Sequence, residues 1–531
     1  MNKKYWVVVL LTGILLFHFA NNFVWLTVNN STIEGCDGNE HMITALSFQL
    51  SLKAILDARL SFSGTISRAC ALFKEWPTSN WPPFIYLTAY WVNPDDFSFF
   101  RTRLYVNFIF FALLVLSVYF LGKKCFNRRV GLIAAFLVSF YPATYAFSRQ
   151  FGLDFPLASL TAVCMCFWAY SENFSRRQYS LLFGLSLGIA TLVKLQIMFF
   201  VCVPLTYSFF KIFGKENQGK LRSLCNLFFS LVVACFFFSL YWGAKLKDVL
   251  INFYQHAFSL YPFYKSEIVP TLGASMGLPT LMLSFKNVIF YPQWALLLLS
   301  FWLFGLFVVA LLVFLIRKNK WRTFFLLNLL VPYLILTFIS VKWPRYALPL
   351  LVPVSIISAC FIDGLKPKYF KMLILGGVFF YCVGFNLSSS WHIYRDDYLP
   401  DYATPSSHPP DSEDLMEMMK KKGVISHIEN RLRKQDRVKI RYLATHPLSK
   451  IMDLYLYFQN DILSNKIDIE RISESDLNSL EDVDYVFAML HWENPDLLSL
   501  DRGAFLPKEV LLKNYKVVSE VDDCHIFLER K

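Results

Sequence analysis

The chain has 531 residues, of which 55% are hydrophobic, 18% aromatic and only 17% charged, and it carries a net charge of +13. Its mean hydropathy of +0.41 excludes an ordinary soluble protein, in which about 25% of residues are charged. The basic excess does not signal nucleic acid either, because it is dispersed through short loops between apolar stretches instead of covering a polar surface.

A membrane-crossing helix needs about 20 apolar residues. Stretches of that character lie near 5–26, 103–121, 130–147, 154–171, 179–193, 195–212, 223–243, 288–316, 323–341, 346–362 and 371–388. The first follows Lys3 and Lys4; it is too long for a signal peptide and no small-residue cleavage motif follows it. Counting eleven spans, alternate loops are basic: Lys123, Lys124, Arg128 and Arg129; Arg176 and Arg177; Lys211, Lys215, Lys220 and Arg222; Arg317, Lys318, Lys320 and Arg322; Lys366, Lys368 and Lys371. Positive charge marks the cytoplasmic side. The pattern predicts a polytopic α-helical membrane protein of about 11 spans, with its N-terminus inside and its C-terminus outside. It also favours two short helices over 179–212, because a single crossing there would invert every later loop.

The outer segment 27–102 opens with Asp37, Glu40 and His41 beside the first span. Charge at that position suits a functional site, and a solvated loop acid is the rival reading of Asp37. His41 can bind a metal or donate to a phosphate. Residues 50–73 mix Leu50, Ile55 and Leu60 with Lys53, Asp57, Arg59 and Arg68, which suggests one interfacial helix with basic heads toward lipid phosphates. Trp81-Pro82-Pro83 reads as a rigid lead into a short apolar segment. Cys36 and Cys70 share this outer segment, where an oxidising compartment would allow them to pair.

Asp154 opens the fourth span at its outer end, close after Arg149, and both a helix cap and a binding site explain an acid there. Arg149 can pair with it or with a phosphate. Lys194 interrupts apolar sequence; it either reaches lipid headgroups or meets an anion. A second outer loop covers 244–287. The run from Lys342 to Pro349 places Arg345 and Tyr346 at an outer boundary. An aromatic belt explains part of this run, but an outer arginine asks for an anion, and its fixed fork of donors suits a phosphate.

After residue 390 the composition changes. A Pro-, Ser- and Asp-rich linker at 391–411 leads into 412–531, read as a small extracytoplasmic α/β domain. Glu413–Arg433 is expected as a helix, Arg437–Ala444 and Asp484–Met489 as strands, and the C-terminus as a hairpin.

These motifs, in this order, resemble the bacterial branch of the protein O-mannosyltransferase and aminoarabinose-transferase superfamily, glycosyltransferase family 39, over most of residues 1–390. The family's first-loop Asp-Glu is represented by Asp37, followed here by Gly38, with Glu40 nearby. Its Pro-Pro segment corresponds to Trp81–Leu87 and its fourth-span acid to Asp154. Its glycine-rich helix ending in Thr-Lys corresponds to Phe183–Lys194, and its Arg-Tyr-x-x-Pro motif to Arg345–Pro349. The resemblance implies the GT-C membrane fold, with residues 1–390 as the catalytic domain in a bacterial inner membrane. It implies inverting transfer of a sugar from a polyprenyl-phosphate donor to a protein, lipid or glycan acceptor, with Asp37 as base. Glu40, His41, Arg59, Arg149, Asp154, Lys194, Arg345 and Tyr346 then bind substrate or phosphate. A divalent metal, which some relatives bind, would fall to Glu40, His41 and Asp154. Partners would be membrane lipids and the donor, with no nucleic acid, and the chain is expected to act as a monomer. A transporter or lipid flippase is the rival; it would show matching halves and broken helices near the midplane, and neither is evident.

Overall fold

The computed structural model describes residues 3–28, 36–58, 61–75, 81–94, 97–214, 219–243, 245–247, 285–339, 343–390, 424–435, 437–443, 467–471, 483–489, 497–499, 505–507, 512, 515–522 and 525–530. The chain divides into two compact units. One holds residues 1–30 and 44–405; the other joins 31–43 with 406–531.

The first unit is helical. Its elements are α1 (Lys3–Val28), α2 (Cys36–Asp57, which begins in the second unit), α3 (Phe62–Glu75), α4 (Phe84–Val92) and α5 (Phe99–Arg101). A π-turn, Thr102–Val106, then leads into α6 (Asn107–Cys125), α7 (Arg128–Phe140), α8 (Pro142–Phe147) and α9 (Asp154–Ser171). There follow α10 (Arg177–Thr191), α11 (Ile197–Phe213), α12 (Lys220–Tyr241), α13 (Phe285–Leu299), α14 (Phe301–Ile316) and α15 (Arg322–Phe338). A 3-10 segment, Pro344–Leu350, precedes α16 (Leu351–Asp363) and α17 (Lys368–Ser390). Among the described residues five helical stretches are long and apolar enough to cross a membrane: Tyr5–Thr27, Phe99–Cys125, Lys220–Tyr241, Pro344–Asp363 and Lys368–Ser388. The protein is a multi-pass membrane protein.

Three expectations need correction. Residues 130–147 are not one continuous helix: Tyr141 precedes Pro142, which disfavours helical backbone, and its ψ of 133° separates α7 from α8. Residues 288–316 break at Ser300, whose φ of 70° ends α13 and starts α14. Residues 50–73 form parts of two helices, α2 and α3, instead of one. Cys70 is a free, exposed thiol, and the side chain of Cys36 lies outside the described residues.

At the centre lies α9. All of its residues except Phe167 and Tyr170 are buried, by α6, α10, α11 and the 3-10 segment. By contrast, α12 buries only Ser223, Asn226, Ser230, Ala234 and Tyr241. That stripe of small and polar side chains faces α10, and the rest of the helix is free to meet lipid. The contact is close because α10 carries Gly184 and Gly188 four residues apart. A Cβ on Gly184 would stand 2.2 Å from the Ser230 carbonyl oxygen, and one on Gly188 2.7 Å from the Phe237 Cβ. Gly184→Ala is therefore expected to push α12 away and cost about 1–3 kcal/mol, read as a lowered thermal midpoint of the detergent-solubilised protein.

In the second unit, β1 (Val438–Leu443), β2 (Ile467–Arg471), β3 (Tyr485–Met489), β6 (Tyr515–Asp522) and β7 (His525–Arg530) form one sheet in the order β2-β1-β3-β7-β6. The short β4 (Leu497–Ser499) and β5 (Phe505–Pro507) pair separately. Strands β2, β1 and β3 run parallel, and β7 and β6 close the sheet as an antiparallel hairpin. A last helix, α18 (Val424–Leu432), buries Val424, Ile425 and Ile428 and packs on β1. Arg431 binds Asp484 at 3.2 Å and Glu529 at 3.7 Å, tying α18 to the sheet. The expected strands and hairpin are present; β2, β4 and β5 are additions, and residues 413–423 of the expected helix lie outside the described residues.

Candidate active site

Among the described residues, the ion pairs of the first unit lie at both ends of α9, apart from the pair of Lys371 with Asp363. An 18-residue helix is about 27 Å long, close to the thickness of a bilayer's hydrocarbon core. Beyond its C-terminal end Glu172 binds Lys124 at 2.7 Å and Arg176 at 2.8 Å. This partly exposed carboxyl is held below its ordinary pKa, chiefly by the hydrogen bond from Lys124.

At the opposite end Asp154 is the first residue of α9. It does not cap the helix. One carboxylate oxygen accepts from Lys194 Nζ at 2.7 Å, and the other lies 3.2 Å from Arg345 Nε. The Asp154 and Lys194 side chains are 12% and 7% exposed, and that of Arg345 is 24%; the cluster is sealed on the lysine side and more open at the arginine.

Local backbone chemistry places each partner. Lys194 sits in the turn joining α10 to α11, so the two-helix reading of 179–212 holds. Its own N–H donates to the Ala190 carbonyl at 3.0 Å, and the Trp242 indole donates to the Thr191 carbonyl at 2.8 Å. Arg345 and Tyr346 ride on the 3-10 segment. Pro349 has no N–H to offer the Arg345 carbonyl four residues earlier, so the tighter three-residue repeat replaces an α-turn.

Aromatic faces complete the enclosure. The Lys194 ammonium lies 5.2 Å from the Trp81 ring centroid and 4.7 Å from that of Tyr346; the Arg345 guanidinium lies 5.0 Å from Trp343. Such contacts keep a cation charged while removing it from water. Trp81 is anchored by the Tyr241 hydroxyl, which donates to its carbonyl at 3.1 Å. Trp81, Trp343 and Trp242 were not among the expected site residues, although Trp81 belongs to the Trp-Pro-Pro signal.

Of the expected residues, Asp154, Lys194, Arg345 and Tyr346 come together. Arg149 occupies a different setting: it is 2% exposed, donates from Nε to Asn22 at 2.9 Å and lies over Trp25 and Tyr145 at 5.0 and 5.1 Å. Asn22 in turn donates to Ser148 at 2.9 Å, fixing α1 against the turn before α9. His41 is buried. Asp37 and Glu40 lie in the opening turns of α2 instead of a loop; their side chains, and Arg59 altogether, are outside the described residues. A divalent metal does not fit at Asp154, because both oxygens face cations that would repel it. No group of three His, Cys, Asp or Glu able to hold a metal is present among the described residues.

Residues 96–242 match the family model of the dolichyl-phosphate-mannose-protein mannosyltransferases. The fold is similar to that of ArnT from Cupriavidus metallidurans bound to undecaprenyl phosphate, with 12% identity, a TM-score of 0.59 and coverage of 99% of this chain and 98% of that one. The apo state of ArnT aligns with the same identity and coverage at a TM-score of 0.56. An oligosaccharyltransferase from Archaeoglobus fulgidus in its apo form aligns at 14% identity and a TM-score of 0.50, over 92% of this chain and 70% of that one. No curated protein matches the chain by sequence. The chain has the GT-C fold, and fold and family match together bear out the resemblance to membrane glycosyltransferases of the ArnT and protein-mannosyltransferase type. The transporter reading is not favoured.

Proposed function

We propose that the chain transfers a sugar from a polyprenyl-phosphate donor to a hydroxyl or amine acceptor on the extracytoplasmic side of a bacterial inner membrane. The observation that carries this reading is the meeting of Lys194 and Arg345 on one carboxylate at the start of α9. A guanidinium and an ammonium together offer eight N–H donors, more than two carboxylate oxygens accept, so Asp154 orders two cations that also suit a phosphate. The basic loops support an orientation with the Asp154 end outside and the Glu172 end in the cytoplasm.

In this reaction Asp37 takes the acceptor proton, the acceptor oxygen or nitrogen bonds to the anomeric carbon with inversion, and the bond from that carbon to the phosphate oxygen breaks. Polyprenyl phosphate leaves with its new charge held by Lys194 and Arg345. Glu40, His41, Arg59 and Tyr346 act in binding, Arg149 fixes the first helix beside the site, and residues 412–531 form an outer domain.

The test is to incubate the purified protein with a panel of polyprenyl-phosphate sugars and candidate acceptors and to identify products by mass spectrometry. A transferred sugar is expected; uptake or translocation of lipid without transfer would defeat the reading. In the same system Arg345→Ala is expected to weaken donor binding about tenfold or more, as loss of a hydrogen bond to a charged group does. Unchanged donor affinity would remove the phosphate role.

A further inference from the structure

Helix α13 brings one more group to this site. It packs against α8, α15 and the 3-10 segment that carries Arg345 and Tyr346. Within it Tyr291 is 4% exposed, and its hydroxyl has no hydrogen-bond partner among the described residues. A buried hydroxyl without a partner is costly and rare in a native structure, which makes it a pointer to a ligand. The phenol's electrostatic neighbours include Tyr346 and Asp154, and its helix packs on the segment that carries Arg345.

The backbone beside Tyr291 is irregular. The next residue, Pro292, lies inside the helix and has no N–H, so the Val288 carbonyl four residues earlier loses its helical donor. The Tyr333 hydroxyl, from α15, donates to that carbonyl instead. A proline irregularity, with its freed carbonyl satisfied by a neighbouring helix, lies directly beside Tyr291.

We infer that the Tyr291 hydroxyl donates a hydrogen bond to a phosphate oxygen of the polyprenyl-phosphate ligand, as a third donor beside Lys194 and Arg345. This rests on the function proposed above and deepens it. A neutral donor adds a directed hydrogen bond without adding charge, so it helps hold a phosphate without making release of the charged product prohibitively slow.

The test is Tyr291→Phe, which keeps the ring and its packing and deletes only the hydroxyl. Two readouts are expected to move in opposite directions. Without ligand, the variant should melt at the same temperature as the parent or higher, because an unsatisfied buried group is gone. Its affinity for undecaprenyl phosphate, titrated in detergent or nanodiscs, should fall about tenfold or more. Undecaprenol, which lacks the phosphate, should bind both proteins equally. A lower melting temperature would mark the hydroxyl as structural and overturn the inference. So would unchanged undecaprenyl-phosphate affinity, an equal loss with undecaprenol, or a loss confined to inorganic phosphate. If the parent itself fails to bind undecaprenyl phosphate, the proposed function falls too; parent binding with an unaffected variant removes only the role of Tyr291.

Discussion

Asp37→Asn should yield a folded protein that binds undecaprenyl phosphate as the parent does yet transfers sugar about 10²–10⁴-fold more slowly, the contribution of a positioned general base. Asn keeps the shape of Asp and loses only the ability to take a proton. Its effect should therefore fall on the chemical step, lowering kcat with little change in donor affinity. The position suits the task. Asp37 is the second residue of α2, and the partial positive charge at a helix start favours an ionised carboxylate, ready to accept a proton at neutral pH. The measurement is product formation under single-turnover conditions, with thermal unfolding as the control. Turnover near the parent's would show that the base lies elsewhere; a collapsed melting temperature would show that Asp37 serves the fold.

The second large effect is expected at Asp154, and it should appear first in stability. Asp154→Asn leaves Lys194 and Arg345 without the carboxylate that both approach, at 2.7 and 3.2 Å. Removing one partner of a buried ion pair costs about 3–5 kcal/mol, because the remaining charge stays out of water. The lower end, about 3 kcal/mol, is expected here because Arg345 retains some solvent. Deleting the lysine charge as well, in Asp154→Asn with Lys194→Met, should recover part of the loss. Removal of both partners is gentler than removal of one, and the difference is the coupling read from a double-mutant cycle. Thermal unfolding of the three variants and the parent checks this. Additive losses would mean that Asp154 and Lys194 do not depend on each other energetically.

Much of the frame is legible without coordinates because hydropathy and charge act locally. The start of the fourth span at Asp154, the break at Lys194 and the strands β1, β3 and β7 follow from runs of side chains whose preferences agree with the fold. What stays hidden depends on residues far apart in the chain. Arg149 is engaged by Asn22, 127 positions away, and no local pattern announces such a pairing. Trp81 reads as part of a rigid Pro-Pro lead, and its second role emerges only when the α10–α11 turn brings Lys194 over its ring. Tyr291 looks like one more apolar residue in an aromatic stretch; it becomes informative through Pro292, Tyr333 and an unsatisfied hydroxyl, all of which require three dimensions. The break at Ser300 is invisible for a different reason: a serine rarely adopts positive φ, so sequence favours continuing the helix.

Where Asp37 belongs has a practical consequence. Residues 31–43 fall in one compact unit with residues 406–531. On the proposed roles, shortening at Pro405 is expected to spare the unit that holds Lys194 and Arg345 and to remove most of the unit to which Asp37 belongs. Tail and first segment should accordingly be exchanged together when chimaeras are built to change what the enzyme decorates.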